Sequence, residues 1–192
     1  MTGVFAGVSS FDYHDICKNA KANVDAYFTT GQAHSLLANR ISYLLNLHGP
    51  SEPIDTACSS SLIAIHRAVN AIRHGECDLA IAGGVNLILT PTLNMSFSNA
   101  GMLCEDGRCK TFDKRANGYV RGEGVGAILL KPLSKAERDG DHIYAVVKGT
   151  AESHGGRANS LTAPNPSAQA ELLVDAYAKA GIPPESVGYI EA

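Results

Sequence analysis

The sequence predicts an α/β fold, and three observations carry that expectation. Segments with strand character alternate with segments of helical spacing along most of the chain. The run Asp78 to Val85 is almost continuously apolar, as suits a strand covered on both faces of a sheet. Hydrophobic residues make up 45% of the 192 residues, enough apolar material for one real core.

Taken in order, Val4 to Val8 is a short apolar run ending in Ser9-Ser10 and reads as a strand. Asp12 to Lys21 reads as a short helix. Ser35 is expected to cap the next helix, in which Leu36, Leu37, Ile41, Leu44 and Leu45 recur at helical spacing. His48-Gly49-Pro50 stops it, and Ser51 to Thr56 reads as a brief strand. From Cys58 the pattern is helical again, with Leu62, Ile65, Val69 and Ile72 on one face and Gly75 where a helix end favours a left-handed residue. Pro91 to Asn117 reads as an irregular polar loop, and loops of that length are usually functional. Strands are then expected over 118–131, 142–149 and 187–191, a short helix over 132–139, and a helix opened by Ser167 that runs to Ala180 with Gly181 just past its end. Ser153 to Pro166 is a second long polar loop.

The composition also excludes function classes. A disordered tail would combine low hydrophobicity with high charge, and only 18% of these residues are charged, against about 25% in ordinary soluble proteins. The formal net charge of −3 supplies no basic stripe for nucleic acid. No stretch approaches the roughly 18 apolar residues of a membrane span, and Met1 to Ser10 has no secretory pattern. The five cysteines (Cys17, Cys58, Cys77, Cys104, Cys109) are odd in number and irregularly spaced, so a reduced cytoplasmic setting is the expectation.

The segment richest in chemistry is Asp55-Thr56-Ala57-Cys58-Ser59-Ser60-Ser61-Leu62. A strand ends, the chain turns sharply, and a helix is expected to begin with Cys58 in its first turn. The first N–H groups of a helix lack intrahelical partners and carry partial positive charge. A thiol there has its thiolate stabilised, below the free pKa of about 8.5. The same N–H groups, that of Cys58 included, are placed to hold the oxyanion of a tetrahedral intermediate. Small neighbours leave room for an acyl group, so the geometry suits an activated nucleophile for acyl transfer. A small buried cysteine at a tight turn fits the position equally well. Position alone does not separate the two.

The wider sequence does. Asp55 to Leu62, DTACSSSL, resembles the nucleophile signature of β-ketoacyl synthases, in the form used by type I polyketide and fatty-acid synthases. Gly31-Gln32-Ala33-His34 through Gly49-Pro50, Ala82 to Asn86, Gly101 to Asp113, Ala116 to Gly126 and Ser160 to Pro166 resemble the same family in the same order. His154-Gly155-Gly156 and Asn159 to Pro166 look most like bacterial modular polyketide synthases that lack built-in acyltransferases.

The resemblance implies a thiolase-like fold with α-β-α-β-α layers. This chain would supply mostly the N-terminal half and the start of the C-terminal half, so 1–192 is expected to be one partial ketosynthase domain, incomplete at both ends. It implies that Cys58 accepts an acyl chain from the phosphopantetheine arm of an acyl carrier protein, with no bound cofactor and no metal. The cysteine thioester is then attacked by the carbanion of decarboxylated malonyl carrier protein. It also implies a homodimer of the complete domain. The family's two condensation histidines fall beyond Ala192, so residues 1–192 alone are not expected to condense malonyl units. Phe97 aligns with a position that lines the acyl pocket in relatives, and it reads equally as an ordinary core aromatic.

Alternatives are a non-elongating transacylase that keeps Cys58, a fatty-acid-type synthase, and a non-catalytic heterodimer partner. The presence of Cys58 counts against the last, and the synthase wording of DTACSSSL counts against a degradative thiolase. His66 and His74 flank Arg67 and Arg73 and read as ordinary helix residues; His154 lies in a polar loop.

Four weaker patterns are set aside. Gly122 to Ala127 fits G-x-G-x-x-A but precedes Ile128-Leu129-Leu130, which reads as strand rather than the helix that a dinucleotide site needs. Cys104-x4-Cys109 lacks a second ligand pair for zinc. Gly7 to Phe11 lacks the last glycine of a serine nucleophile elbow. Asp113, Arg115 and Glu123 read as ion-pair or loop anchors.

Overall fold

The computed structural model describes residues 1–191 and is a mixed α/β structure built on one four-stranded sheet. The strands are β1 (Thr2–Gly7), β2 (Ser51–Ile54), β3 (Leu79–Asn86) and β4 (Gly124–Leu130). Their order is β2-β1-β3-β4. β1 runs parallel to both β2 and β3, and β4 is antiparallel to β3. The helices are α1 (Asp12–Asn19), α2 (Ser35–Leu44), α3 (Ser60–Arg73), α4 (Thr92–Asn99), α5 (Leu133–Asp139) and α6 (Pro166–Ala180).

The core follows from the strand period. Val4 and Phe5 are adjacent in β1, point to opposite faces, and are 1% and 2% exposed, so the central strand is covered on both sides. α2 packs on β1 and β2, and α3 packs on β1 and β3. The main apolar cluster joins Phe5 and Ile54 to Ala64, Ala68 and Ala71 of α3 and to Ala80 and Ala82 of β3. Small alanines on both partners let α3 lie close to the sheet.

That closeness is greatest at the amino end of α3. A Cβ on Gly7 would stand 2.7 Å from backbone atoms of Ser60 and Ser61, and one on Gly84 would stand 2.8 Å from Ser61 Cβ. The carboxyl ends of β1 and β3 therefore press directly on the turn that carries Cys58. At its other end α3 closes with Gly75 at φ +76°, its N–H donating to Ile72 and that of Glu76 donating to Ala71. This paired closure is the Schellman arrangement the sequence anticipates there.

Several expectations are corrected. Ser35 is the first residue of α2 rather than its cap, which is His34. α6 is capped by Asn165, whose side chain accepts the Ala168 N–H at 3.3 Å, and Pro166 is its first residue. The loop expected over 91–117 contains α4, a helix with no fully buried residue and so with little core signature. The strand expected from Gly118 starts at Gly124; before it, Tyr119 forms only an isolated bridge with Leu103. Residues 142–149 and 187–191 form no strand among the described residues. A strand exists by pairing, and nothing there pairs with them. Of the expected layered arrangement, the described residues form one sheet with helices packed on it.

Candidate functional site

The carboxyl ends of β1 and β3, the turn that follows β2 and the amino end of β4 converge on one cavity of about 740 Å³. Open α/β sheets place their sites at this edge, where successive connections leave a central strand in opposite directions. β1 is that strand, with β2 on one side and β3 on the other.

Cys58 lies on the cavity wall. It sits in a three-residue 3-10 turn, Ala57–Ser59, that leads into α3, and not in the first turn of the α-helix as the sequence suggests. The reason lies in the side chains of the segment. Asp55 Oδ1 accepts the Ala57 N–H at 3.0 Å. Ser60 Oγ accepts the Thr56 N–H at 2.9 Å and donates to the Ala57 carbonyl at 2.7 Å. Ser59 Oγ lies 2.9 Å from both the carbonyl oxygen and the hydroxyl of Thr56. Ala57 is thereby held at φ +54°, a left-handed conformation unfavourable for a residue with a Cβ. The strain turns the chain sharply and leaves Cys58 exposed. None of the turn's hydrogen bonds among the described residues engages the Cys58 N–H. That group therefore remains available beside its own thiol.

α4 provides another wall. Leu93 and Phe97, one turn apart, both face the cavity, so Phe97 shares it with Cys58. The Phe97 ring lies 5.6 Å beneath the guanidinium carbon of Arg121, which also donates to Asn94 Oδ1. Glu123 accepts the Ile88 N–H at 2.7 Å, and Asn86 donates to the Gly122 carbonyl at 2.6 Å. The glycine pattern over 122–127 thus enters an antiparallel strand, where the Gly126 carbonyl passes within 2.0 Å of where a Gly83 Cβ would stand.

The remaining candidates lie outside the cavity lining. His66 Nδ1 is 2.8 Å from Thr150 Oγ1, and its Nε2 is 2.9 Å from Asn70 Nδ2. Arg67 pairs with Glu152 at 3.1 Å, so this polar cluster ties α3 to residues 150–152. His154 Nδ1 accepts the Gly156 N–H at 3.0 Å within its own loop. Arg115 pairs with Asp113 at 2.7 Å, holding its carboxyl below the ordinary range through that hydrogen bond. Cys104 is buried, with Sγ 3.1 Å from the Arg108 nitrogen, whereas Cys109 is exposed. No group of three or more potential metal ligands occurs among the described residues. No helix among them is long and apolar enough to cross a membrane.

Sequence reasoning missed two groups at this site. Ser60 is 6% exposed and braces the turn; a run of three serines does not announce which is buried. Asp12 is 4% exposed and reaches the approach to α4. Its only sequence signal is an acidic residue opening a helix.

Comparison with known proteins agrees with this geometry. Residues 1–136 match the family described as "Beta-ketoacyl synthase, N-terminal domain", and residues 144–192 match "Beta-ketoacyl synthase, C-terminal domain". The chain is 53% identical over 191 residues to polyketide synthase PksN of Bacillus subtilis, covering all of this chain and 4% of that protein. It superposes on the ketosynthase from module 6 of the bacillaene synthase of Bacillus subtilis with a TM-score of 0.90 at 45% identity. That match covers 99% of this chain and 32% of the solved one. The oxazolomycin ketosynthase domain OzmH KS7 of Streptomyces albus gives a TM-score of 0.88 at 41% identity, over 99% of this chain and 34% of the other.

Proposed function

The chain belongs to the β-ketoacyl synthase family, and from that premise we propose that it is the nucleophile-bearing part of a ketosynthase domain in a bacterial modular polyketide synthase. The observation that carries the proposal is Cys58 itself: an exposed thiol on a strained turn, opening into the cavity shared by Phe97. Residues 1–192 are read as one partial domain, since they span about a third of the solved ketosynthase chains.

In this reading the Cys58 thiolate attacks the carbonyl carbon of an acyl thioester carried on the phosphopantetheine arm of an acyl carrier protein. The oxyanion that forms is held by the free N–H of Cys58. The intermediate collapses with loss of the carrier thiolate, which takes up a proton, and the acyl group remains as a cysteine thioester. Decarboxylation of malonyl carrier protein then supplies the carbanion that attacks this thioester, forms the carbon–carbon bond and frees Cys58. The second step draws on groups of the complete domain, which acts as a homodimer. Phe97 and Leu93 bound the space for the acyl chain.

The test is to expose the complete ketosynthase domain carrying this chain to an acyl pantetheine thioester and locate the added mass. The expected result is one acyl group on the peptide containing Cys58, absent after Cys58→Ala. No adduct, or an adduct that survives Cys58→Ala, overturns the proposal. An adduct without subsequent condensation identifies a non-elongating transacylase.

A further inference from the structure

α4 forms a wall of the Cys58 cavity through Leu93 and Phe97, which are only half-buried, and none of its residues is fully buried. Apolar packing alone therefore does not decide where this wall stands. Polar contacts reach it from other parts of the chain: the Glu123 carboxylate accepts the Ile88 N–H at 2.7 Å, and there are two more. The first of these two is at its approach, where Asp12 Oδ2 accepts the N–H groups of Leu89 at 2.8 Å and Thr90 at 3.0 Å. The second is on the helix itself, where Arg121 donates to Asn94 Oδ1 and covers the Phe97 ring.

Asp12 is the one buried charged residue among the described residues. It opens α1, separated by Phe11 alone from residues 8–10, and these line the same cavity. One carboxylate thus joins two walls of the cavity across nearly eighty residues of sequence. Its bonds are charge-assisted and shielded from water, the conditions under which a hydrogen bond resists displacement most strongly. The side chain of Thr90 adds no bond of its own: Thr90 Oγ1 is buried without a partner among the described residues. The backbone there is held by Asp12.

We propose that Asp12 is a positioning residue that sets the acyl-chain selectivity of the Cys58 site by fixing the separation of residues 8–10 from α4. Arg121 completes the setting by aligning Phe97. The inference rests on the reading of Cys58 as the acyl acceptor. One methylene more or less in an apolar pocket is worth roughly 10- to 200-fold in discrimination, so a shift of α4 that changes the chain length accommodated is readable in the substrate profile.

The experiment measures kcat/KM for acylation of the complete domain by acetyl and octanoyl pantetheine, in the unsubstituted protein and in Asp12→Asn, Asp12→Ala and Arg121→Met. The octanoyl-to-acetyl ratio is expected to rise about tenfold in Asp12→Ala and Arg121→Met, mostly through KM, and less in Asp12→Asn. The rate of Cys58 alkylation by iodoacetamide stays unchanged, which separates a moved wall from a damaged nucleophile. An unchanged ratio, or an equal loss for both chains, overturns the assignment and leaves Cys58 as the acceptor. Absence of any adduct in the unsubstituted domain overturns the acceptor reading and this inference with it. Should Asp12→Ala not fold, Arg121→Met and Asp12→Asn decide the matter, and an unchanged ratio in both overturns it.

Discussion

Ser60 holds Ala57 in place: its hydroxyl donates to the Ala57 carbonyl at 2.7 Å while accepting the Thr56 N–H at 2.9 Å. The nucleophile's position therefore depends on a side chain two residues away that is itself 6% exposed. Ser60→Ala leaves both backbone groups without this partner, and such a loss costs roughly 1–3 kcal/mol. The complete domain should show a lower urea midpoint with an unchanged slope, and slower acylation at Cys58. An unchanged midpoint would mean that the left-handed Ala57 needs no brace.

The cysteines should separate by reactivity. Cys58 and Cys109 are exposed, whereas Cys77 and Cys104 are buried. Burial also pushes the Cys77 thiol up, disfavouring its reactive thiolate. Limited alkylation of the native chain, followed by peptide mass mapping, should find label on Cys58 and Cys109 well before Cys77 and Cys104. Denaturation should abolish the order. Early labelling of Cys77 would show that α3 and β3 do not enclose it.

Acid should weaken one surface contact in a defined window. The Lys135 ammonium, hydrogen-bonded to Asp78, holds the Asp78 carboxyl below the ordinary carboxylate range. An unfolded aspartate titrates near 3.9. Because the folded value is the lower, the contribution is complete above about pH 3.9 and is lost in the acid interval below it. Asp78→Asn should flatten the stability–pH curve in that interval alone, as followed by thermal melting. A curve unchanged by the substitution would dismiss the pairing.

The outer sheet edge carries its own expectation. Val125 and Leu129 of β4 share a face and are 82% and 67% exposed. An exposed apolar edge strand promotes association. Residues 1–192 produced alone should bind a hydrophobic dye and self-associate in sedimentation, and Val125→Lys should reduce both. A monodisperse monomer without dye binding would contradict this.

The legible parts of the sequence were those whose pattern is local. β1, β3 and α3 declare themselves through contiguous apolar runs and the spacing of Ile65, Val69 and Ile72. The turn at Cys58 is legible because strand, small residues and helix follow one another within DTACSSSL. α4 escaped because Leu93 and Phe97 face a cavity, so the helix lacks the broad apolar stripe of a packed one. Strands at 142–149 and 187–191 were overread because apolar character supplies a willingness to pair and not the partner. Asp12 was invisible for a related reason: its partners are backbone groups at 89 and 90, which no side-chain pattern records.

Because β4 returns antiparallel to β3 and pairs Gly124 with Asn86, the chain leaves and re-enters the sheet at the same edge, beside Cys58. Everything between them, residues 87–123, is an excursion with a closed base. Both its ends are fixed by one strand pair, and α4 stands between them. The hinge of that excursion lies beside the thiol, so any movement of α4 is felt first at the bond-making group.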